Sequence, residues 1–145
     1  MNIKKLTDRS SHDVALLVAL WEQSVIATHH FLDTNAIAEI KNHVPTALLG
    51  VECLAVAMEN EKMIGFIGIN GDKIEMLFVH PDYFGKGFGK NLMDFALKNG
   101  VSNVVVNAQN PNALAFYQKM GFQIERTSKV DEQGQPYPII YLKKA

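Results

Sequence analysis

Val14, Leu17, Val18, Trp21 and Val25 recur at three- and four-residue spacing and predict a helix over residues 12–26, with Ser10 and Ser11 placed to cap it. The stretch IKKLT before it (3–7) reads as a short first strand. The polar break THHFLDT (28–34) follows, where Asp33 or Thr34 can cap a second helix with the stripe Ile37, Ile40 and Val44, disturbed at its end by Pro45. The period then changes. ECLAVAME (52–59), KMIGFIGI (62–69) and KIEMLFV (73–79) read as three strands of an antiparallel meander, turned at Asn60-Glu61 and Asn70-Gly71. Leu92, Met93, Phe95, Ala96 and Leu97 cover one face of the next helix, which Asn99-Gly100 ends. NVVVNA (103–108) is a β-branched strand, so strand, helix and strand suggest one parallel crossover. NALAFYQKM (112–120) is a helix stopped by Gly121. FQIERTSKV (122–130) and YPIIYLKK (137–144) are strands on either side of the turn-rich DEQGQP. The order β-α-α-β-β-β-α-β-α-β-β describes an α+β domain around a mixed sheet, with no repeat or low-complexity tract.

A chain of 145 residues is a common size for one domain, expected here over residues 1–145. The net charge of −1 gives no reason for bulk electrostatic binding to nucleic acid or to an anionic membrane. Cys53 is alone, which excludes an internal disulfide and fits a reducing compartment. The N-terminal MNIKKLTDRSSHD lacks the apolar core of a signal peptide, and no stretch approaches the roughly 18–20 apolar residues of a membrane span. A cytoplasmic location is expected. The five histidines are scattered without acidic partners, so no metal site is expected.

The densest chemical signal is HPDYFGKGFGK (80–90), between a strand and a helix. Gly85, Gly87 and Gly89 let the backbone approach a ligand closely, and a helix starting there aims unpaired N–H groups and a positive dipole end at one point. That is an anion site, most often for phosphate, with Lys86 and Lys90 adding charge. The same glycines would also serve a plain surface turn. A P-loop is excluded by the spacing and by Asn91 after Lys90, which places no hydroxyl for Mg²⁺. A dinucleotide fingerprint is excluded by Gly-x-Gly-x-Gly spacing and by the absence of an acid ending NVVVNA.

The second cluster, NPNALAFYQKMGF (110–122), decides between these readings. With it the chain resembles the GNAT superfamily, the acyl-CoA N-acyltransferases. The glycines of Phe84-Gly85-Lys86-Gly87-Phe88-Gly89 match that family's Arg/Gln-x-x-Gly-x-Gly/Ala, although Phe84 stands where Arg or Gln is common. Asn110, Ala113, Phe116-Tyr117 and Gly121-Phe122 match the later Asn-x-x-Ala-x-x-Phe-Tyr-x-x-x-Gly-Phe. ATHHFL (27–32) and Gly134 to Pro138 are similar to stretches of small stand-alone bacterial members.

The resemblance implies a mostly antiparallel sheet of about seven strands, flanked by about four helices and splayed between the fourth and fifth strands. It implies acetyl transfer from acetyl-CoA to a primary amine by direct attack, with no metal. The acceptor is a small amine, an amino acid or a protein N-terminus, and the protein is a monomer or homodimer. The backbone of Leu77, Phe78 and Val79 would bind the pantetheine arm, and N–H groups from Gly85 to Lys90 the pyrophosphate, with Asn110 and Phe116 against the arm. Tyr117 would protonate the leaving thiolate. Glu75 would accept the amine proton, since strand alternation puts it on one face with Leu77 and Val79; His29 and His30 are the other candidates. Trp21, Phe31 and Tyr137 are candidate apolar walls of the acceptor site. Cys53, in a strand, reads as packing more than as an acyl carrier. The alternative is a non-catalytic acyl-CoA-binding or regulatory module on the same fold.

Overall fold

The computed structural model describes residues 2–145; Met1, where the expected domain begins, lies outside the described residues. The elements are β1 (Asn2–Lys5), α1 (Ser11–Thr28), α2 (Thr34–Lys41), α3 (Val44–Gly50), β2 (Cys53–Glu59), β3 (Lys62–Asn70), β4 (Lys73–Val79), α4 (Phe88–Lys98), β5 (Asn103–Asn107), α5 (Pro111–Lys119), β6 (Phe122–Ser128) and β7 (Ile139–Lys144). A single 3-10 turn, Pro81–Tyr83, precedes α4.

The local signals explain most of these ends. Ser10 accepts a hydrogen bond from the Asp13 N–H to open α1, and Asp33 accepts from the Ala36 N–H to open α2. Asn60 and Glu61 both have positive φ, as a two-residue hairpin requires. One expected helix is two. Pro45 lies in the first turn of α3, where its missing N–H costs nothing, so it starts a helix instead of disturbing the end of one. There are thus five α-helices among the described residues. The Arg9 guanidinium donates to the Leu48, Leu49 and Val51 carbonyls, satisfying the last carbonyls of α3. The last two strands are shorter than expected, because Pro136 and Pro138 interrupt the approach to β7 and leave Tyr137 in the loop.

The seven strands form one sheet in the order β1-β2-β3-β4-β5-β7-β6. Its β4–β5 pair is parallel, joined across α4, and the other pairs are antiparallel. On one face Leu92 and Met93 of α4 and Tyr117 of α5 pack on Ile67, Ile74 and Val104. On the other, Leu17 and Trp21 of α1 and Leu48 of α3 pack on Val56 and Phe66. Each large side chain buried this fully contributes roughly 1.5–3 kcal/mol against its solvated state.

Only Lys73–Asn103 and Ile74–Val104 are paired between β4 and β5. Beyond them β4 stays with β3 as far as Val79, and β5 stays with β7 as far as Asn107. The cause is a bulge: Ile69 pairs with Ile74 and Gly68 with Met76, so Glu75 is an extra residue on β4. A bulge bends its strand and raises the local twist, which turns β4 away from β5. It also breaks the alternation expected for Glu75. Ile74, Leu77 and Val79 face the α4 side, whereas Met76 and Phe78 face the α1 side. Glu75 sits at that irregularity, so alternation alone does not assign its face, and it lines one cavity together with Leu77.

Candidate active site

The splayed strands enclose a cavity of about 130 Å³, lined by Glu75 to Phe78 of β4, Val104 to Asn107 of β5, Asn110, Ala113, Tyr117 and His29. Along Leu77 to Val79, the backbone groups of β4 turned toward β5 have no strand partner. Such groups need a hydrogen-bonding occupant, and an extended arm with amide groups supplies one as an added strand does. Asn110 caps α5 through its Oδ1, which accepts from the Ala113 N–H at 3.2 Å, leaving its amide NH₂ for an occupant.

At the end of β4 the chain enters the glycine turn. Gly85 and Gly87 have φ of 75° and 87°, a region costly for residues with a Cβ. Gly87 is the residue before α4, and the first α4 hydrogen bond made to it comes from Asn91 N–H. The N–H groups of Phe88, Gly89 and Lys90 are consequently open toward the loop. The Phe88 side chain is buried in the core, so only its backbone faces the site. Phe84 is exposed, and its N–H bonds the Pro81 carbonyl, so the turn forms without Arg or Gln there. Lys86 and, unforeseen in the sequence, Lys62 of β3 stand 5.3 and 6.0 Å from the Tyr83 ring centre. Phe116 of α5 lies beside Gly89, where an added Cβ would touch its ring at 3.6 Å.

A second cavity, of about 440 Å³, opens on the α1 face. Trp21, His29, Phe31 and Tyr137, all proposed from sequence, line it together. The Phe31 ring lies 5.4 Å from His29 and 6.4 Å from Tyr137. His30 is exposed and lines neither cavity, unlike its neighbour. The two cavities share His29, Phe78 and Asn107. Asn107 was not singled out in the sequence, although a polar residue at the carboxyl end of a parallel strand beside a crossover is a usable signal. Glu39 and Asp131, also missed, put two carboxylates on the second cavity.

Tyr117 is almost fully buried, and burial holds its pKa well above the ordinary tyrosine range. It lines the wedge, and its hydroxyl has no hydrogen-bond partner among the described residues. Glu75 lines the wedge with Lys73 Nζ at 3.8 Å, and Lys73 also holds Glu132 at 3.0 Å. No group of metal-binding side chains occurs among the described residues.

The wedge between the parallel strands β4 and β5 adjoins the larger cleft through His29, Phe78 and Asn107. The acetyltransferase (GNAT) domain family matches residues 50–124. The peptidyl-lysine N-acetyltransferase YjaB of Salmonella typhimurium is 37% identical over 136 residues, covering 92% of this chain and 94% of that protein. The solution structure of apo YjaB from Escherichia coli superposes with a TM-score of 0.86 at 36% identity, covering 100% of this chain and 99% of the other. The PaiA N-acetyltransferase of Thermoplasma acidophilum, crystallised with coenzyme A, shares the fold at a TM-score of 0.67 and 22% identity, covering 99% of each chain. The chain belongs to the GNAT family and is an N-acetyltransferase.

Proposed function

We propose that this enzyme transfers an acetyl group from acetyl-CoA to the side-chain amine of a lysine in a peptide or protein, by direct attack within a ternary complex. The observation that carries the reading is the meeting of the two cavities at His29, Phe78 and Asn107. A pantetheine arm entering the wedge brings its thioester to that junction, and an amine entering the larger cleft reaches it from the other side. Holding both reactants there replaces an unfavourable encounter in solution. The N–H groups from Gly85 to Lys90 hold the pyrophosphate at the start of α4.

The acceptor class follows from the cleft. Trp21, Phe31 and Tyr137 offer aromatic faces to a cationic chain, and Glu39 and Asp131 offer opposite charge. A lysine side chain has an apolar stem and a cationic head that suit both features. The YjaB proteins, similar over most of the chain, are named as peptidyl-lysine acetyltransferases.

In the reaction the bound lysine ammonium first loses one proton to water, the neutral amine nitrogen attacks the thioester carbonyl and passes a second proton to a base in the site, the carbon–sulfur bond breaks, and Tyr117 gives its proton to the departing sulfur. An inert binding module would have no use for a protonated tyrosine lining the wedge. The test is thiol release from acetyl-CoA with lysine peptides, peptides with only an N-terminal amine, free amino acids and small amines. Lysine peptides should give the highest kcat/KM, with the acetyl group found on lysine by mass spectrometry. Faster turnover of small amines would overturn the acceptor assignment.

A further inference from the structure

We infer that His29 is the proton acceptor for the amine, and that the Thr28 hydroxyl positions it by fixing which ring nitrogen is bare. This rests on the acetyl transfer proposed above. The observation is a pair of contacts to one oxygen: Thr28 Oγ1 lies 2.8 Å from the Ser24 carbonyl and 2.7 Å from His29 Nδ1. A hydroxyl has one proton to donate. The Ser24 carbonyl can only accept, so that proton goes to it. Thr28 Oγ1 must then accept from His29, and Nδ1 carries the ring hydrogen. In the neutral ring this leaves Nε2 with the free lone pair.

The ring is held in that orientation. The His29 N–H bonds the Val25 carbonyl at 2.8 Å, ending α1, and the Phe31 and Phe78 rings stand 5.4 and 6.3 Å away. His29 is also the one histidine among the described residues that lines both cavities. Glu75 lines only the wedge and has Lys73 beside it, so an amine arriving through the larger cleft meets His29 before Glu75.

The charge state agrees with this role. Burial, and secondarily the neighbouring His30, lower the His29 pKa below 6.5. The other titratable groups around the two cavities are Glu75 and Tyr117 in the wedge, and Glu39, His43, Asp131 and Tyr137 in the cleft. The imidazole is therefore neutral near pH 7. As the tetrahedral adduct forms, Nε2 takes the proton that the amine nitrogen loses, Tyr117 protonates the sulfur, and both groups are restored by proton exchange with solvent. Because the neutral ring is the active form, kcat/KM should fall as pH drops through this lowered pKa.

Imidazole ¹⁵N shifts of the wild-type protein, measured near pH 8 without substrate, report the tautomer directly. The expected result is a protonated Nδ1 and a bare Nε2 for His29. A dominant Nε2–H form overturns the inference whatever the activity. Kinetics provide the second arm with folded variants: His29→Gln should lower kcat/KM by about 10²–10⁴. Thr28→Val should lose both the Nδ1–H preference and much of the rate, and Thr28→Ser should recover both. A His29→Gln enzyme within a few-fold of the parent, with its acid limb in the carboxylate range, would assign the proton to Glu75 instead. If no amine is turned over by the parent, the acceptor reading fails while the tautomer measurement still stands on its own.

Discussion

Tyr117 packs in the core and is also the proposed proton donor. Its ring meets Phe116 and Phe122 edge-on, with centroids 5.2 and 5.9 Å away, and the residue lines the wedge. Burial keeps the phenol protonated at physiological pH, as a proton donor to a leaving thiolate must be. Tyr117→Phe retains the ring contacts and removes the hydroxyl that carries that proton. Turnover at saturating acetyl-CoA should drop by about 10²–10⁴ with little change in melting temperature. A fall in melting temperature with turnover preserved per folded molecule would make the residue structural. The proposed role was suggested in the sequence by the order of Asn110, Ala113 and Phe116-Tyr117. The histidine pair was legible only as a pair, since exposure separates His29 from His30 and depends on residues far away in the chain.

At the scale of elements, α4 and α2 show two ways of making a binding surface. The start of α4 is built from backbone: Gly87 at φ 87° leaves space around its Cα, with nothing within 4 Å of an added Cβ. Gly87→Ala should therefore cost about 1–2 kcal/mol from backbone conformation alone and weaken acetyl-CoA binding modestly. Gly87→Glu adds bulk and negative charge where the pyrophosphate is proposed to sit. Calorimetry should find acetyl-CoA binding abolished in a protein that still unfolds cooperatively, and unchanged affinity would refute the placement. By contrast, α2 has no fully buried residue, yet it supplies Ala36, Glu39 and Ile40 to the larger cleft. Its supports are the Asp33 cap and the Lys41–Glu22 ion pair at 3.0 Å to α1, of which the exposed pair contributes little. The sequence marked one helix through this region because apolar spacing continues from Ile40 to Val44, and periodicity does not register a break at Asn42 and His43.

Over the whole molecule, the sheet separates two cores and joins two cavities at the one place where it opens. The net charge of −1 conceals an uneven distribution: lysines 62, 86 and 90 lie by the glycine turn, and Glu39 and Asp131 lie at the cleft. The polyanionic donor and the cationic acceptor proposed above would thus meet regions of opposite sign. Combining Glu39→Gln with Asp131→Asn should raise KM for lysine peptides several-fold and flatten its dependence on salt, leaving acetyl-CoA affinity unchanged. An equal loss for a neutral amine would show that these carboxylates shape the cleft without attracting charge.

The repeating positions of apolar residues were enough to establish the strands, most of the helices and the glycine turn, because each depends on neighbours within a few residues. The two motifs likewise carried the family and the geometry of the glycine turn, since a helix N-terminus and its glycines are contiguous in the chain. The Glu75 bulge came from the pairing of β3 with β4, a contact between separate segments, and it interrupted the regular alternation expected for KIEMLFV. The larger cleft needed more distant partners still. It gathers α1, α2, the end of β5 and the loop before β7, so its acidic residues, its aromatic walls and its lining by His29 and not His30 arise only when the sheet brings those segments together.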